Sequence, residues 1–432
     1  MNFLKPLLLV LCTLASQVHA QTTLELTKVV GGLNKPLAMV QPNGDPRLFI
    51  VEQEGLIKVL ENGVITDVFL DLSSKLVKLN KEYDERGVLG LAFHPNFKQN
   101  GRFFVAFSAP IDQQTLSTLP TYSHINVIEE FTVPKNPSKK LTAASGKRIM
   151  SIPWPHMNHN GHWIGFGSDG KLYAATGDGG YSNVWSPESI AESYNSQKLD
   201  NYFGKILRID IDRKSKGKSY AIPADNPMTK LKSALPEIWA FGLRDPWRCS
   251  FDTAGAKHLF CGDVQQDNYE SIKIISKGKN MGWPVVEGRM RCFNWESSRS
   301  KSVNCDKADI NPAILDYANC TAIPENCKGI SVTGGFIYRG SNPQLSGKYI
   351  FGDWSKRFDQ NDGQIFIASE KNKDEWAMES PVVTMQNMPA NNKLPFVLAF
   401  AQDAKGEVYV LTALQSKRNA VFDDAIYMIK AN

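Results

Sequence analysis

One phrase recurs along the chain and restricts its fold more than any other feature. It consists of an apolar strand, a turn built on Asp, Asn, Lys or Gly, and a second strand in which aromatic and aliphatic residues alternate. This phrase is typical of a β-hairpin, because the turn residues adopt special backbone angles and the alternation buries one face. Six copies are found, in residues 38–51, 91–107, 164–175, 250–260, 335–352 and 399–411.

Further strand-like segments lie between the copies, at residues 56–60, 205–209, 364–368 and 425–430. Hairpin and further strands together give about four strands per copy, which is the composition of a propeller blade. The sequence therefore predicts an all-β fold, a six-bladed β-propeller with long loops decorating one face. An array of β-sandwiches is the alternative, and the regular recurrence argues against it.

The chain from residue 21 to residue 432 is predicted to be one domain, because no composition break or Ser/Gly linker divides it. Helical periodicity is scarce, and one short helix is predicted in residues 187–198.

The first twenty residues are predicted to be a secretory signal peptide. A single lysine precedes an apolar run from Pro6 to Ala15, and the segment ends on small residues at Val18 and Ala20. No later segment is apolar over the length that a membrane helix needs, so no membrane span is predicted. A periplasmic or extracellular location follows.

The cysteines suit such an oxidising compartment. One of the seven lies within the predicted signal peptide, and the remaining six fall between residues 249 and 327. We therefore expect disulfides in the central to C-terminal part of the fold. The pair Cys249–Cys261 flanks a strand-turn-strand pattern, and nearest neighbours suggest two more. These are Cys292–Cys305 and Cys320–Cys327. A metal site is the alternative, but CxxC spacing is lacking.

The charge of the chain argues against one class of partner. The formal net charge is +5, and both signs are mixed along the sequence. This is too weak and too dispersed to indicate nucleic-acid binding.

Four polar loops precede or follow the predicted inner strands, where propellers bind ligands at the mouth of the central channel. Residues 156–162 contain three of the seven histidines. Their spacing matches no zinc motif, whereas a loop histidine is a common general base near neutral pH. A structural histidine bonded to backbone is the alternative for each.

The other three loops contain charged and amide groups. Glu85 begins the phrase leading into the second hairpin, and Arg244 precedes the fourth. Arg244 can hold a carboxylate or an oxyanion, or pair structurally with Asp245. Residues 262–268 are rich in the oxygen ligands that calcium prefers, although they lack EF-hand spacing.

At these loops the chain resembles the glucose/sorbosone dehydrogenase family of soluble quinoproteins, which use pyrroloquinoline quinone (PQQ) and calcium. The matching phrases run in the family's order through residues 85–97, 158–161, 166–173, 204–210, 236–247, 278–284 and 333–340. The same propeller is shared by secreted proteins of the hedgehog-interacting type.

The resemblance implies roles for individual residues. His159 matches the base that removes the proton of the sugar's anomeric hydroxyl, with Glu85 and Asn158 beside it. Arg244 matches the arginine that supports the oxyanion of the quinone. Further implied cofactor contacts are Asp245, Lys356 and Lys393. Calcium would be bound by the loop of Val264, Gln265, Gln266 and Asp267.

This chain also departs from the family pattern. Glu85 stands where several of the dehydrogenases have Gln, Asn158 where they have Asp, and Asp245 where they usually have Asn. Gln265 replaces a glycine of the calcium loop. In the last blade Lys393 is the basic residue of segment 391–396, where the best-known members have paired arginines.

Three functions are therefore weighed. The preferred hypothesis is a dehydrogenase dependent on PQQ and Ca²⁺ that oxidises an aldose sugar or similar alcohol and passes electrons to an unidentified acceptor. The alternative is a non-enzymatic secreted propeller that binds a protein or glycan partner. A third hypothesis is a calcium-dependent lactonase, with cation ligands drawn from Glu85, Asn158, Asp178 and Asp263.

Overall fold

The six predicted hairpins are the inner halves of six sheets in the computed structural model. The structure describes residues 21–81, 83–136, 141–180, 194–266, 268–289, 291–292, 303–304, 309–372, 375–386, 388–389, 392–414 and 424–431. The predicted signal peptide lies outside these ranges, as does most of the helix predicted at residues 187–198, of which Tyr194–Gln197 form a 3₁₀ turn.

The first three blades are four-stranded antiparallel sheets whose strands follow one another along the chain. Blade 1 contains β2 (Pro36–Val40), β3 (Leu48–Glu52), β4 (Leu56–Glu61) and β5 (Val64–Asp71). Blade 2 contains β6 (Val88–Phe93), β7 (Arg102–Ala109), β8 (His124–Thr132) and β9 (Lys147–Trp154). Blade 3 contains β10 (Gly161–Phe166), β11 (Leu172–Thr176), β12 (Lys205–Ile209) and β13 (Ile238–Phe241).

The last three blades carry the additions to this pattern. Blade 4 contains β14 (Asp245–Phe251), β15 (Leu259–Val264), β16 (Tyr269–Ile275) and β20 (Leu315–Ala318). A small sheet interrupts it, formed by β17 (Val286–Glu287), β18 (Arg291–Cys292) and β19 (Val303–Asn304). Blade 5 contains β21 (Val332–Ile337), β22 (Tyr349–Asp353), β23 (Gln364–Asn372) and β24 (Glu375–Glu379). Blade 6 contains β26 (Phe396–Gln402), β27 (Val408–Ala413), β28 (Asp424–Ala431), β1 (Thr23–Leu33) and β25 (Val382–Met385).

The innermost strands close a ring. Each contacts the innermost strands of the blades before and after it, and β26 of blade 6 contacts β2 of blade 1. Successive side chains of a strand point to opposite faces of its sheet, so each blade packs against both neighbours. Phe103 accordingly belongs to the core between blades 1 and 2, and Phe104 to the core between blades 2 and 3. The six-bladed prediction is confirmed.

Strand β1 completes blade 6 from the other end of the chain. It pairs antiparallel with β28, with Leu24 opposite Ala431 and Leu26 opposite Ile429. Leu24, Leu26 and Leu33 are buried, and the pairing leaves no gap between the first and last blades.

Two of the three predicted disulfides are present. Cys249–Cys261 joins β14 to β15, and Cys320–Cys327 closes a loop after β20. The third predicted pair includes Cys305, which lies outside the described residues.

The helices of the described chain are short. They are α1 (Phe97–Asn100) and α2 (Gln113–Thr118). None in the described ranges has the length and apolar character that crossing a membrane requires.

Candidate functional site

The predicted site residues lie on one face of the propeller. Because neighbouring strands of a blade are antiparallel, the start of its first strand and the turn between its second and third strands lie at the same end. We call this end the upper face. Residues before first strands include Glu85, Asn158, His159, Arg244 and Lys393, and residues in turns after second strands include Asp178, Gln266 and Lys356.

His159 is held in an unusual backbone conformation just before β10. Its φ is 51°, in the left-handed region that favours glycine. Gly177 lies directly against its carbonyl, since a Cβ atom on Gly177 would be 1.9 Å from His159 O. The glycine therefore permits the close approach that places the His159 ring.

One ring nitrogen of His159 is occupied and the other is free. Nδ1 lies 2.7 Å from Asp178 Oδ1, and the histidine is only 4 % exposed. Burial alone would raise the pKa of Asp178, but His159, Arg244 and hydrogen bonds keep that pKa below its ordinary value. An ionised Asp178 requires Nδ1 to carry a proton. Nε2, which has no partner among the described residues, is the ring nitrogen left to face a substrate.

Glu85 and Asn158, two departures from the family pattern, form one hydrogen-bonded pair. Asn158 Nδ2 donates to Glu85 Oε1 at 2.8 Å, and the backbone N–H of His159 donates to Glu85 Oε2 at 2.6 Å. A carboxylate suits this position because both of its neighbours are donors. The predicted grouping of Glu85, Asn158 and His159 is thus formed in space.

Arg244 is connected to the same group. Its Nε and Nη2 atoms donate to Gln266 Oε1 at 3.0 and 2.7 Å, and Nη1 donates to Val264 O at 3.2 Å. Its backbone carbonyl accepts from the N–H of Asp178 at 2.6 Å. The cation and the histidine therefore share Asp178 as a neighbour.

Asp245 makes no ion pair among the described residues, so the alternative of a structural Arg244–Asp245 pair is not realised. Its Oδ1 accepts from Gly161 N at 2.9 Å. Burial, and then the nearby charge of Glu85, raise the pKa of Asp245 well above its usual range.

The raised pKa of Asp245 predicts a pH-dependent stability. The folded protein retains a proton that the unfolded chain releases, so this group's contribution falls as pH rises from the ordinary aspartate range toward the raised pKa. Asp245→Asn keeps an oxygen for Gly161 and removes the titration. We expect the melting temperature of the variant to exceed that of the wild type by a margin that grows from pH 4 to pH 8. A constant or shrinking margin would contradict this assignment.

The loop predicted to bind calcium has other contacts. The Val264 carbonyl faces the guanidinium of Arg244, and the Gln265 amide donates to Asp263 Oδ2 at 2.7 Å. Gln265 Oε1 is buried without a partner in the described chain, but one such oxygen is far from the six to eight that calcium takes. Asp267 lies outside the described residues. This donor set does not fit calcium.

The proposed lactonase ligands are likewise committed elsewhere. Asp263 Oδ2 pairs with the buried Lys273 at 2.8 Å, while Asp178 faces His159. Within the described ranges, His, Cys, Asp and Glu side chains form no group of three suited to a metal ion. In the histidine loop, His162 contacts the backbone, because its Nε2 lies 3.0 Å from Val127 O. Burial lowers the pKa of His162 to about 4.

Lys356 and Lys393 meet at Asp362. Lys393 Nζ forms an ion pair with Asp362 Oδ2 at 2.8 Å, and the backbone N–H of Lys356 donates to Asp362 O at 3.1 Å. The Lys356 ammonium has no partner among the described residues. Together with Arg244 these lysines bring positive charge to the upper face from separate loops. This donor chemistry fits the carboxylates of an anionic quinone such as PQQ.

Two residues of the site were missed or given another role by the sequence analysis. Asp178 was considered only as a lactonase ligand, although its place directly after the second strand of blade 3 is a signal for the upper face. Trp283, whose Nε1 donates to Asp178 Oδ2 at 2.8 Å, had no assigned role. It lies in an irregular segment, where no strand pattern indicates direction.

The architecture places this chain among the closed six-bladed β-propellers. Residues 33–385 match the family model described as Glucose / Sorbosone dehydrogenase. The chain belongs to this family.

Two relatives are similar to this chain over most of its length. The chain is 32% identical over 426 residues to HIPL1 protein of Arabidopsis thaliana, covering 86% of this chain and 59% of the relative. It is 28% identical over 411 residues to the Hedgehog-interacting protein of Mus musculus, covering 93% and 52%. The chain thus spans between half and three fifths of the length of these relatives.

Solved structures share the fold. The PQQ-bound aldose sugar dehydrogenase of Streptomyces coelicolor superimposes with a TM-score of 0.65 at 17% identity, over 96% of this chain and 99% of that structure. At this identity the likeness concerns the architecture alone.

Proposed function

We propose that this protein is an oxidoreductase that oxidises an aldose sugar or a similar alcohol, with His159 as the general base. The observation that carries the proposal is a buried histidine whose Nδ1 is held by Asp178 and whose Nε2 has no partner among the described residues. A base of this kind needs a fixed tautomer and an open nitrogen, and the contact of Nδ1 with Asp178 supports this role.

In this mechanism Nε2 of His159 takes the proton of the substrate hydroxyl. Asp178 stabilises the imidazolium that forms, because its carboxylate lies against Nδ1. Glu85 holds the His159 backbone and so fixes the ring relative to the substrate. Arg244, Lys356 and Lys393 would hold PQQ, which when bound supplies the acceptor for the hydride of the carbinol carbon. The electron acceptor that follows is unidentified.

The disulfides support an oxidising compartment. We therefore propose a periplasmic or extracellular location, in line with the predicted signal peptide.

Calorimetric titration of the purified protein with PQQ, with and without calcium, tests the proposal. We expect saturable binding, weakened about tenfold or more in Arg244→Ala because a charge-assisted contact is lost. Arg213→Ala is the matched control, since the Arg213 side chain is 78% exposed. Binding should be accompanied by sugar oxidation with an artificial electron acceptor. Absence of PQQ binding in the wild type would overturn the quinoprotein assignment.

A second candidate function is binding of a protein or glycan partner at the upper face. Four exposed large apolar side chains lie in its loops, namely Tyr83, Tyr194, Phe358 and Leu414. Such side chains are typical of interaction surfaces when they occur together. The hedgehog-interacting relatives make this the reading to adopt if PQQ does not bind.

A further inference from the structure

Trp283 contacts two charged residues of the site, Asp178 and Arg244. It is fully buried in the segment between β16 and β17, and its indole Nε1 donates to Asp178 Oδ2 at 2.8 Å. The guanidinium carbon of Arg244 lies 5.6 Å from the centre of its ring. The neutral indole of Trp283 therefore contacts both the Arg244 guanidinium and Asp178, the partner of His159.

The backbone of Trp283 is fixed by a different loop. Its carbonyl accepts from Ser196 Oγ at 2.7 Å and from Gln197 Nε2, and its N–H donates to Gly242 O at 2.9 Å. The buried Lys205 ammonium donates to the carbonyls of Asn195 and Ser196, each at 3.0 Å. The indole is thus held in place independently of Asp178.

Each oxygen of Asp178 has its own donor. Oδ1 faces His159 Nδ1 and accepts from Gly180 N at 2.9 Å, whereas in the described part of the chain Trp283 is the donor to Oδ2. A buried carboxylate stays ionised only when both oxygens are well supplied with donors. Without the indole N–H, Oδ2 would take up a proton more readily.

We infer that Trp283 is a positioning residue that keeps Asp178 ionised and oriented, and so keeps the basic atom of His159 at Nε2. The inference rests on the proposed function for its kinetic consequence. Protonation of Asp178 would remove the acceptor that fixes the proton on Nδ1, and His159 would lose its defined tautomer. The indole N–H therefore acts on the proton transfer through two intervening residues.

The kinetic test replaces the indole by a ring that lacks the N–H. In Trp283→Phe we expect kcat for sugar oxidation to fall about tenfold or more, with KM little changed. The acid limb of the pH profile should move to higher pH, because Asp178 then protonates more easily. Trp376→Phe is the matched control, since Trp376 Nε1 is buried without a partner in the described chain. Its kcat and pH profile should remain those of the wild type.

A second readout needs neither substrate nor cofactor. Nitrogen-15 NMR of histidine-labelled protein reports the tautomer of His159, with His159→Gln used to assign its signals. We expect the Nδ1–H form in the wild type and in Trp376→Phe, and a mixture of forms in Trp283→Phe.

These measurements separate the two proposals. If the wild type oxidises no sugar while Trp283→Phe still changes the tautomer, the proposed function fails and the positioning role stands. An unchanged tautomer in a folded Trp283→Phe protein would overturn the positioning role. So would an active wild type whose kcat and pH profile survive that substitution unaltered.

Discussion

Replacing His159 by glutamine is expected to lower the kcat of sugar oxidation by roughly 10²–10⁴-fold, the usual contribution of a positioned general base. The glutamine amide can still donate to Asp178, so the buried carboxylate keeps a partner and the fold is retained. What is lost is the basic nitrogen. The measurement is steady-state turnover with an artificial acceptor at saturating PQQ.

The control for this variant is His258→Gln, which changes an exposed histidine in the hairpin of blade 4. Its turnover should equal that of the wild type. Titration with PQQ should give similar affinities for wild type and His159→Gln, because the proposed cofactor contacts are Arg244 and the two lysines. Turnover of His159→Gln within about tenfold of the wild type would exclude His159 as the base.

The closing strand should dominate the stability of the ring. Leu24 and Leu26 are buried on one face of β1. Each leucine-to-alanine change in a core costs about 2–5 kcal/mol, so Leu24→Ala/Leu26→Ala should lose about 4–10 kcal/mol. Total stabilities are about 5–15 kcal/mol, so this variant is expected to be marginally folded.

Two exposed residues of the same strand provide the control. Glu25 and Lys28 are exposed, and Glu25→Ala/Lys28→Ala should change the free energy of unfolding by less than about 1 kcal/mol. Chemical denaturation of both double variants gives the comparison. Similar losses in the two would show that burial of Leu24 and Leu26 is not what stabilises the ring, contrary to this prediction.

The hairpins were predictable because their information is local. Each blade begins with two strands separated by a short turn, so alternation and turn residues identify them without long-range knowledge. Strand β1 was not identified, because its partner β28 lies at the opposite end of the described chain. No local pattern reveals such a pairing.

The site residues likewise include some that local sequence indicates and others that only the folded structure reveals. Glu85, His159 and Arg244 lie next to inner strands, so their positions along the chain indicated a common face. The contact of Trp283 with Asp178 joins residues 105 positions apart through an irregular segment. Its detection needed the folded geometry, as did the finding that Val264 O faces Arg244.

The pairing of β1 with β28 also sets the order in which the molecule can be assembled. Blades 1 to 5 each use consecutive stretches of chain, so they can form as those stretches become available. Blade 6 combines β1, from the first part of the chain, with four strands from the last part, β25 to β28. Until the last part is made, β1 lacks its partner β28, and an unpaired strand edge invites association with other chains. Because this pairing joins the two ends of the described chain, we expect closure of the ring to be a slow step of folding.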